Sequence, residues 1–370
     1  MIQLFYKFVD RGIDWVFRPR SLGLQLLKYG AAIFIMTLGA DIAFGAEYKS
    51  ESSSLNFHLT TSGGLPALAI NGAYLLGAGL IFLGVALLVR QVAQDIKKER
   101  RQLLIVVELK GLHGAPDTPA KDVVMRDFFG QRQSIVIDFR PQRSADLVDR
   151  HLVLEKLATL MSMIEVLSAG RDTADIFVAV GGLAAVPALF FTGVLLDDES
   201  NVQIFDWNRN LKAWRVPQDP DDGKRLLPLV APELATSWSD AVLVVSCSYH
   251  IDEQDVAKAF PGYPVARLDA EEKLADRFWS EEKQVAFVAA FRDAVQVLLN
   301  KGVERVHLVL AAPSSLSIRM GMSYDRRLHP ELVVYQYERS TQPVYPWGLR
   351  MPCHGQQQVA VVERLVGTSR

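Results

Sequence analysis

The residues best placed to do chemistry lie in one stretch, Val306-His307-Leu308-Val309-Leu310-Ala311-Ala312-Pro313-Ser314-Ser315-Leu316-Ser317-Ile318-Arg319. Val306–Leu310 has the apolar, β-branched character of a strand inside a parallel sheet. Ala311 and Ala312 leave space above the strand end. Pro313 suits the first turn of a helix, and Ser314 or Ser315 can cap it. Free backbone N–H groups at such a helix start attract anions, phosphate above all. In open α/β sheets, ligands sit at the carboxyl ends of strands. A capped strand–helix turn without a ligand would satisfy the same residues. Ser314 or Ser315 as a nucleophile would need a base, and the sequence places none. There is no G-x-S-x-G elbow, Walker A loop, H-E-x-x-H pair or G-x-G-x-x-G opening a helix. The seven histidines do not gather with acids or cysteines at metal spacing. Cys247 and Cys353 make neither a disulfide framework nor a zinc site, and Cys247 reads as a small core residue. The expectation is a binding cleft rather than an enzyme, with no catalytic residue, metal or cofactor.

The elements that must position this turn come as a pair. Ile176-Phe177-Val178-Ala179-Val180-Gly181-Gly182-Leu183 lies 130 residues before Val306. With that offset held, strand meets strand and Gly181-Gly182 meets Ala311-Ala312. Val202-Gln203-Ile204-Phe205-Asp206-Trp207-Asn208-Arg209 then meets Leu332-Val333-Val334-Tyr335-Gln336-Tyr337-Glu338-Arg339. Upstream, Leu152–Ala169 meets Glu282–Leu299, both with helical apolar spacing. Pattern repeats here and residue identity does not. Two similar α/β halves with one shared cleft are expected.

The net charge of −2 gives no sign of a long polyanion partner. Apolar residues make up 49% of the chain, and their distribution explains the excess. Leu22–Phe44 and Ala67–Val89 are each long enough to cross the roughly 30 Å core of a bilayer. Lys28 and Asp41 lie near segment ends, where a charge costs less than at the midplane. Gly72, Gly77, Gly79 and Gly84 fit either close packing against the first helix or an oligomer interface. Basic residues precede the first segment (Lys7, Arg11, Arg18, Arg20) and follow the second (Arg90, Lys97, Lys98, Arg100, Arg101). The intervening loop has only Lys49, so both ends are expected in the cytoplasm. Residues 1–21, with Phe5, Phe8, Trp15 and Phe17 among the basic ones, suit an interfacial amphipathic helix. Ala43-Phe44-Gly45-Ala46 has the small residues of a signal-peptidase site, but the basic region before it is long for a leader.

A third apolar run, Ile176–Leu196, has the length of a membrane span. Gly181-Gly182 and Pro187 interrupt it, and its pattern partner Val306–Arg326 is charged and amphipathic. It therefore reads as a buried strand, a glycine turn and a core helix. The remaining organisation is a helical linker at 91–102, strands at Leu103–Leu109, Ser134–Phe139 and Ala241–Cys247, and helices at Leu147–Ala169 and Trp279–Asn300. Pro217–Lys224 is a turn cluster at the seam between the halves. The domain boundaries expected are 1–21, 22–90 for the two-span module, 91–102, 103–225 for the first half and 226–370 for the second.

The run from Val306 to Leu316, then Tyr335-Gln336-Tyr337 and Tyr345-Pro346-Trp347, resembles the C-terminal signature of SAVED domains. Phe205-Asp206-Trp207 and Trp214 extend the resemblance into the first half, so it covers about residues 103–355. SAVED domains are similar to two fused CARF-like, Rossmann-like halves and serve as cyclic-oligonucleotide sensors of CBASS anti-phage effectors. The resemblance implies an α/β SAVED domain preceded by an α-helical two-span transmembrane module. It also implies a cyclic di- or trinucleotide ligand made by a cognate CD-NTase, a ligand-induced homo-oligomer and damage to the bacterial inner membrane. DNA and long RNA are not expected partners. On that footing the phosphates would meet Lys110, Arg319, Gly181-Gly182 and the Pro313, Ser314, Ser315 turn. Ser246 and Ser248 would hydrogen-bond a phosphate or base edge. Tyr249, Tyr337, Trp347 and Trp207 would offer stacking faces, with core packing as the competing role of each. A membrane-anchored enzyme that degrades such a nucleotide is the alternative.

Overall fold

The computed structural model describes residues 22–44, 65–112, 116, 118–128, 130–141, 148–197, 201–232, 238–354 and 358–364. The chain forms two compact units, Met1–Arg100 and Arg101–Arg370. The amphipathic segment 1–21, the loop carrying Lys49, and Gly45-Ala46 lie outside the described residues.

The first unit contains helices α1 (Leu22–Phe44) and α2 (Leu65–Arg101). Leu68–Lys97 of α2 has the length and a mean hydropathy of 2.3 that a bilayer crossing requires. Leu75, Phe82 and Met36 turn apolar side chains outward, as lipid-facing residues do. The separate linker helix expected at 91–102 is a continuation of α2. Gln91 to Arg101 contains no Gly or Pro and is rich in good helix formers, so nothing stops the helix where its apolar part ends. The glycines divide by role. A Cβ on Gly77 would stand 3.1 Å from the Gly30 carbonyl oxygen, and one on Gly84 2.9 Å from that of Gly23. Gly72 and Gly79 have nothing within 4 Å. Gly23, Gly30, Gly77 and Gly84, seven apart on each helix, let the two backbones touch.

The second unit begins with a parallel sheet of β1 (Leu103–Lys110), β2 (Gln131–Asp138), β3 (Ile176–Leu183) and β4 (Val202–Ile204), in the order β2-β1-β3-β4. Helices α3 (Ala120–Val123), α4 (Arg150–Ala158), α5 (Leu160–Ser168) and α6 (Val186–Leu195) belong to this half. A small hairpin, β5 (Asp206–Asn208) and β6 (Ala213–Arg215), closes it. The second half supplies β7 (Asp240–Ser246), α7 (Glu253–Ala259), β8 (Val265–Asp269), α8 (Glu281–Asn300), β9 (Arg305–Ala311), α9 (Ser314–Met322) and β10 (Glu331–Gln336). Its parallel strands run β8-β7-β9-β10, the order of the first sheet repeated. Antiparallel β11 (Trp347–Arg350) and β12 (Ala360–Glu363) extend this sheet alone. The 130-residue offset therefore holds for β3 and β9, α6 and α9, and β4 and β10.

Two readings need correction. The helix expected at Leu147–Ala169 is two helices that break at Thr159, whose hydroxyl donates to the Lys156 carbonyl at 2.8 Å. Gly181-Gly182 is not a turn: both residues lie inside β3. The turn is Ala184-Ala185, and Pro187 sits in the first turn of α6. The strand needs the glycines because a Cβ on Gly181 would fall 2.2 Å from the Phe205 carbonyl oxygen. Gly182, at φ +152°, presses on Leu109 in the same way.

Val186–Leu195 is buried along nearly its whole length, so the third apolar run is a core helix. One apolar core takes residues from both sheets, among them Ile105, Val107, Val178, Leu243, Leu308 and Val334. The two halves meet most closely where α6 crosses α9. There Gly193 lies against the Ile318 carbonyl and Gly321 against the Phe190 carbonyl.

Candidate functional site

Strand alternation decides which side chains reach the cleft. At the carboxyl ends of β3 and β9 lies a cavity of about 260 Å³. Its floor is Leu183, Ala184 and Val186 from the first half and Ala312, Pro313, Ser314 and Ser315 from the second. Leu183 and Pro313, and Ala184 and Ser314, are pattern equivalents at the 130-residue offset. The β5–β6 hairpin contributes Asp206, Trp207, Arg209 and Asn210, the end of β7 contributes Ser248 and Tyr249, and the loop before α8 contributes Asp276, Phe278 and Trp279.

The N-termini of α6 and α9 both open into this cavity, and each is capped by the other half. Asp206 Oδ2 accepts from the Ser315 N–H at 2.9 Å. Gln336 Oε1 accepts from the Val186 N–H at 3.0 Å. Asp206 and Gln336 are themselves 130 residues apart, so the two caps are pattern equivalents. The expectation that Ser314 or Ser315 caps α9 is thereby corrected. Pro313 holds the N-cap position with no side-chain cap, and a carboxylate from the first half takes the place. Asp206 is buried, and the lost hydration pushes its carboxyl pKa up, against the opposing hydrogen bonds from Ser315 and Trp207. A carboxyl whose folded pKa lies above its unfolded value stabilises the fold most at low pH. That contribution is lost as pH rises from about 4 through the folded value. Asp206→Asn should flatten this decline, and urea-unfolding midpoints of both proteins across pH measure it.

The family profile described as the SMODS-associated and fused to various effectors sensor domain, SAVED, matches residues 162–351, just over half of the 370 residues. The chain belongs to the SAVED family. A second profile, the SAVED-fused 2TM effector domain, matches residues 2–154, which assigns two transmembrane helices to the N-terminal part. That match runs through β1 and β2, yet β1 pairs along its length with β3 of the SAVED sheet. Among solved structures, the chain is similar to an Acinetobacter baumannii Cap4 SAVED/CARF-domain containing receptor with the cyclic trinucleotide 2'3'3'-cAAA. The identity is 11%, covering 77% of this chain and 60% of that one, with a TM-score of 0.45. A Moraxella osloensis Cap4 SAVED/CARF-domain containing receptor is similar at 13% identity, 78% and 59% coverage and a TM-score of 0.41. This chain spans about 60% of the length of those receptors. No curated protein matches it.

Of the residues singled out from sequence, the SAVED cleft gathers Ser248, Tyr249, Pro313, Ser314, Ser315 and Trp207. Trp207 also packs edge-on against Trp214 at 5.1 Å, so it serves the core and the cleft together. The others point elsewhere. Gly181 and Gly182 are pinned within β3. Lys110 shares a face of β1 with Glu108 and pairs with its carboxylate at 3.2 Å. Ser246 turns to the face of β7 opposite the shared core, in register with Asp269 of β8. Arg319 donates to Gln284 Oε1 at 2.8 Å and to Glu281 at 2.7 Å on α8. Tyr337 packs at a tilt against Tyr345, with centroids 5.5 Å apart. Trp347 is a fully buried core residue whose indole N–H donates to Glu338 at 2.7 Å. Lys110→Ala should therefore act on stability: it leaves Glu108, 1% exposed, without its cation, at a cost of about 3 kcal/mol. Thermal unfolding of the variant beside its nucleotide affinity would show the effect, and a large affinity loss at unchanged stability would contradict it.

Sequence reasoning missed Asp206, Asn210, Asp276 and Trp279. Asn210 bonds Asp276 across the cleft mouth, and the Trp279 indole N–H donates to the same carboxylate at 2.8 Å. These bonds tie the hairpin of the first half to a loop of the second. Among the described residues, no group of three or more His, Cys, Asp or Glu could hold a metal ion.

Proposed function

We propose that this chain is a membrane-bound CBASS effector whose cytoplasmic SAVED domain binds a cyclic di- or trinucleotide supplied by a cognate CD-NTase. Binding drives homo-oligomerisation, and the clustered two-helix modules disrupt the inner membrane, with both chain ends in the cytoplasm. The observation that carries the reading is the cleft itself. Two helix N-termini from pattern-equivalent halves converge there under aromatic walls, in a SAVED domain joined to a 2TM effector module. Such a cleft suits a ligand that spans a pseudo-twofold axis and presents flat bases. The basic residues flanking α1 and α2, and their scarcity in the loop between, support the cytoplasmic placement.

Among the described residues, the lining contains no histidine or lysine, and both of its carboxylates already accept hydrogen bonds. Among those residues no general base stands ready to cleave a phosphodiester, which favours a sensor over a nucleotide-degrading enzyme. The test is direct. Full-length protein in detergent is incubated with a panel of cyclic di- and trinucleotides and separated from free ligand. One of them should be retained, recovered intact by mass spectrometry, and shift the protein to larger assemblies. The same ligand should release dye from vesicles carrying the protein. A panel in which nothing binds would defeat the proposal, and recovery of linear products would favour the enzyme.

A further inference from the structure

The cleft does not have the chemistry of a phosphate site. Among the described residues, its charged groups are two carboxylates, Asp206 and Asp276, against one guanidinium, Arg209, which is exposed at the rim. At the α9 N-terminus, where a phosphate would seek N–H groups, the Ser315 N–H is already taken by Asp206. The walls are Trp207, Tyr249 and Trp279. Aromatic faces with acceptor-only side chains suit a base with its phosphates held outside.

The two carboxylates differ. Asp276 uses one oxygen for the Trp279 indole and the other for Asn210, so it fastens the mouth. Asp206 Oδ1 accepts from the Trp207 N–H at 2.8 Å and Oδ2 from the Ser315 N–H. Ser315 also gives Asp206 a side-chain hydrogen bond. A carboxylate has about four lone-pair directions, and these three bonds leave one on a residue that lines the cleft.

A chain of bonds fixes the direction of every proton behind it. Arg319 has only donors and holds Gln284 Oε1, so the Gln284 amide N–H₂ must point the other way. It donates to the Phe278 carbonyl at 2.6 Å and to Ser315 Oγ at 3.0 Å. The Ser315 hydroxyl, having accepted, is left to donate to Asp206. The carboxylate is thus presented as an acceptor, at the end of a chain whose direction Arg319 sets. At the equivalent place in the other half stands Gln336, a neutral amide that caps Val186 without this chain.

Resting on the cyclic-nucleotide reading above, we propose that Asp206 is the specificity-determining residue of the cleft, accepting a hydrogen bond from the amino group of a nucleobase. An amino-bearing base satisfies it, and adenine, whose amino group becomes a keto oxygen in hypoxanthine, is the one that tests it most cleanly. A base carrying a keto oxygen at the same place sets two acceptors against each other and leaves both unpaired in a desolvated site. The halves then read the ring unequally, through a carboxylate on one side and an amide on the other.

The experiment compares matched cyclic di- and trinucleotides that differ only in adenine against hypoxanthine, with full-length wild-type protein, Asp206→Asn and Asp206→Ser. Asparagine offers a donor as well as an acceptor, and serine keeps a capping oxygen for α9. Wild type should bind the adenine forms at least about tenfold more tightly than the hypoxanthine forms. Both variants should bring that ratio to within about threefold, by losing affinity for adenine more than for hypoxanthine. Equal wild-type binding of the two bases, or an unchanged ratio in a folded variant, overturns the assignment and leaves the sensor reading standing. Failure of every probe to bind wild type overturns both. Because the wild-type ratio alone can refute it, the proposal does not depend on the variants folding.

Discussion

Gly321→Val unfolds the α/β unit or leaves it without its tertiary packing. A Cβ at this position would stand 2.0 Å from the Phe190 carbonyl oxygen and 3.1 Å from the Gly193 Cα. Both are main-chain atoms, so no rotamer change relieves the clash. Gly193 is in the same position from the other side, 2.1 Å from the Ile318 carbonyl oxygen and 2.8 Å from the Met322 nitrogen. The helices α6 and α9 must separate by an ångström or more to admit either side chain. Each carries buried residues on most of its faces, Leu189, Phe190 and Phe191 on one and Leu316, Ile318 and Met320 on the other. Separation would open voids among those residues as well as strain the backbone. Overpacking of a dense core costs about 1–3 kcal/mol, and a backbone-to-backbone clash belongs at or above the top of that range. Domains have only about 5–15 kcal/mol in all. Near-ultraviolet circular dichroism and tryptophan fluorescence during urea unfolding should show a collapse for Gly321→Val and Gly193→Val. Gly223→Val is the control, with no atom within 4 Å, though its φ of +74° carries a smaller local strain. Native-like midpoints for both helix variants would show that the crossing is not tight.

The same crossing shows what was legible in the sequence and what was not. The periodic and β-branched runs of Val306–Leu310 and Ile176–Val180 are local signals, and they placed β3 and β9 correctly. The offset of 130 residues placed the repeated strand–helix–strand units, because each half buries the same faces in the same order. Side-chain destination was harder. Alternation along β1 could have sent Lys110 to the face of Glu108, two residues away, rather than toward a ligand. The caps of α6 and α9 come from residues 150 and 109 positions away in sequence, beyond the reach of any local pattern. One signal was still present. Aligning Val202–Arg209 with Leu332–Arg339 sets Asp206 opposite Gln336, a polar acceptor after an apolar strand in both halves. Arg319 shows the converse error, since a basic residue one turn into a helix looks free until the facing helix supplies Glu281 and Gln284.

Gly30→Val should abolish ligand-dependent vesicle leakage while leaving nucleotide binding within about twofold of wild type. The argument begins with the closeness of α1 and α2. A Cβ on Gly30 would lie 2.8 Å from the Ile81 nitrogen and 2.9 Å from the Gly77 carbonyl oxygen. Gly84 is as tightly enclosed, with the Leu27 nitrogen at 2.8 Å. In lipid the hydrophobic effect does not hold helices together, so close packing between small residues carries the association. A branched side chain at Gly30 removes that packing along the hairpin. The SAVED domain folds as its own compact unit and should be unaffected. Gly79→Val is the matched control, because it sits on the same helix as Gly77 and Gly84 with nothing within 4 Å. If Gly79→Val also abolishes leakage while the hairpin remains formed, the outward face of α2 takes part in the lesion. If Gly30→Val leaks as wild type does, the paired geometry of the two helices is not what damages the membrane, and the coupling proposed between nucleotide and bilayer must run through another part of the chain.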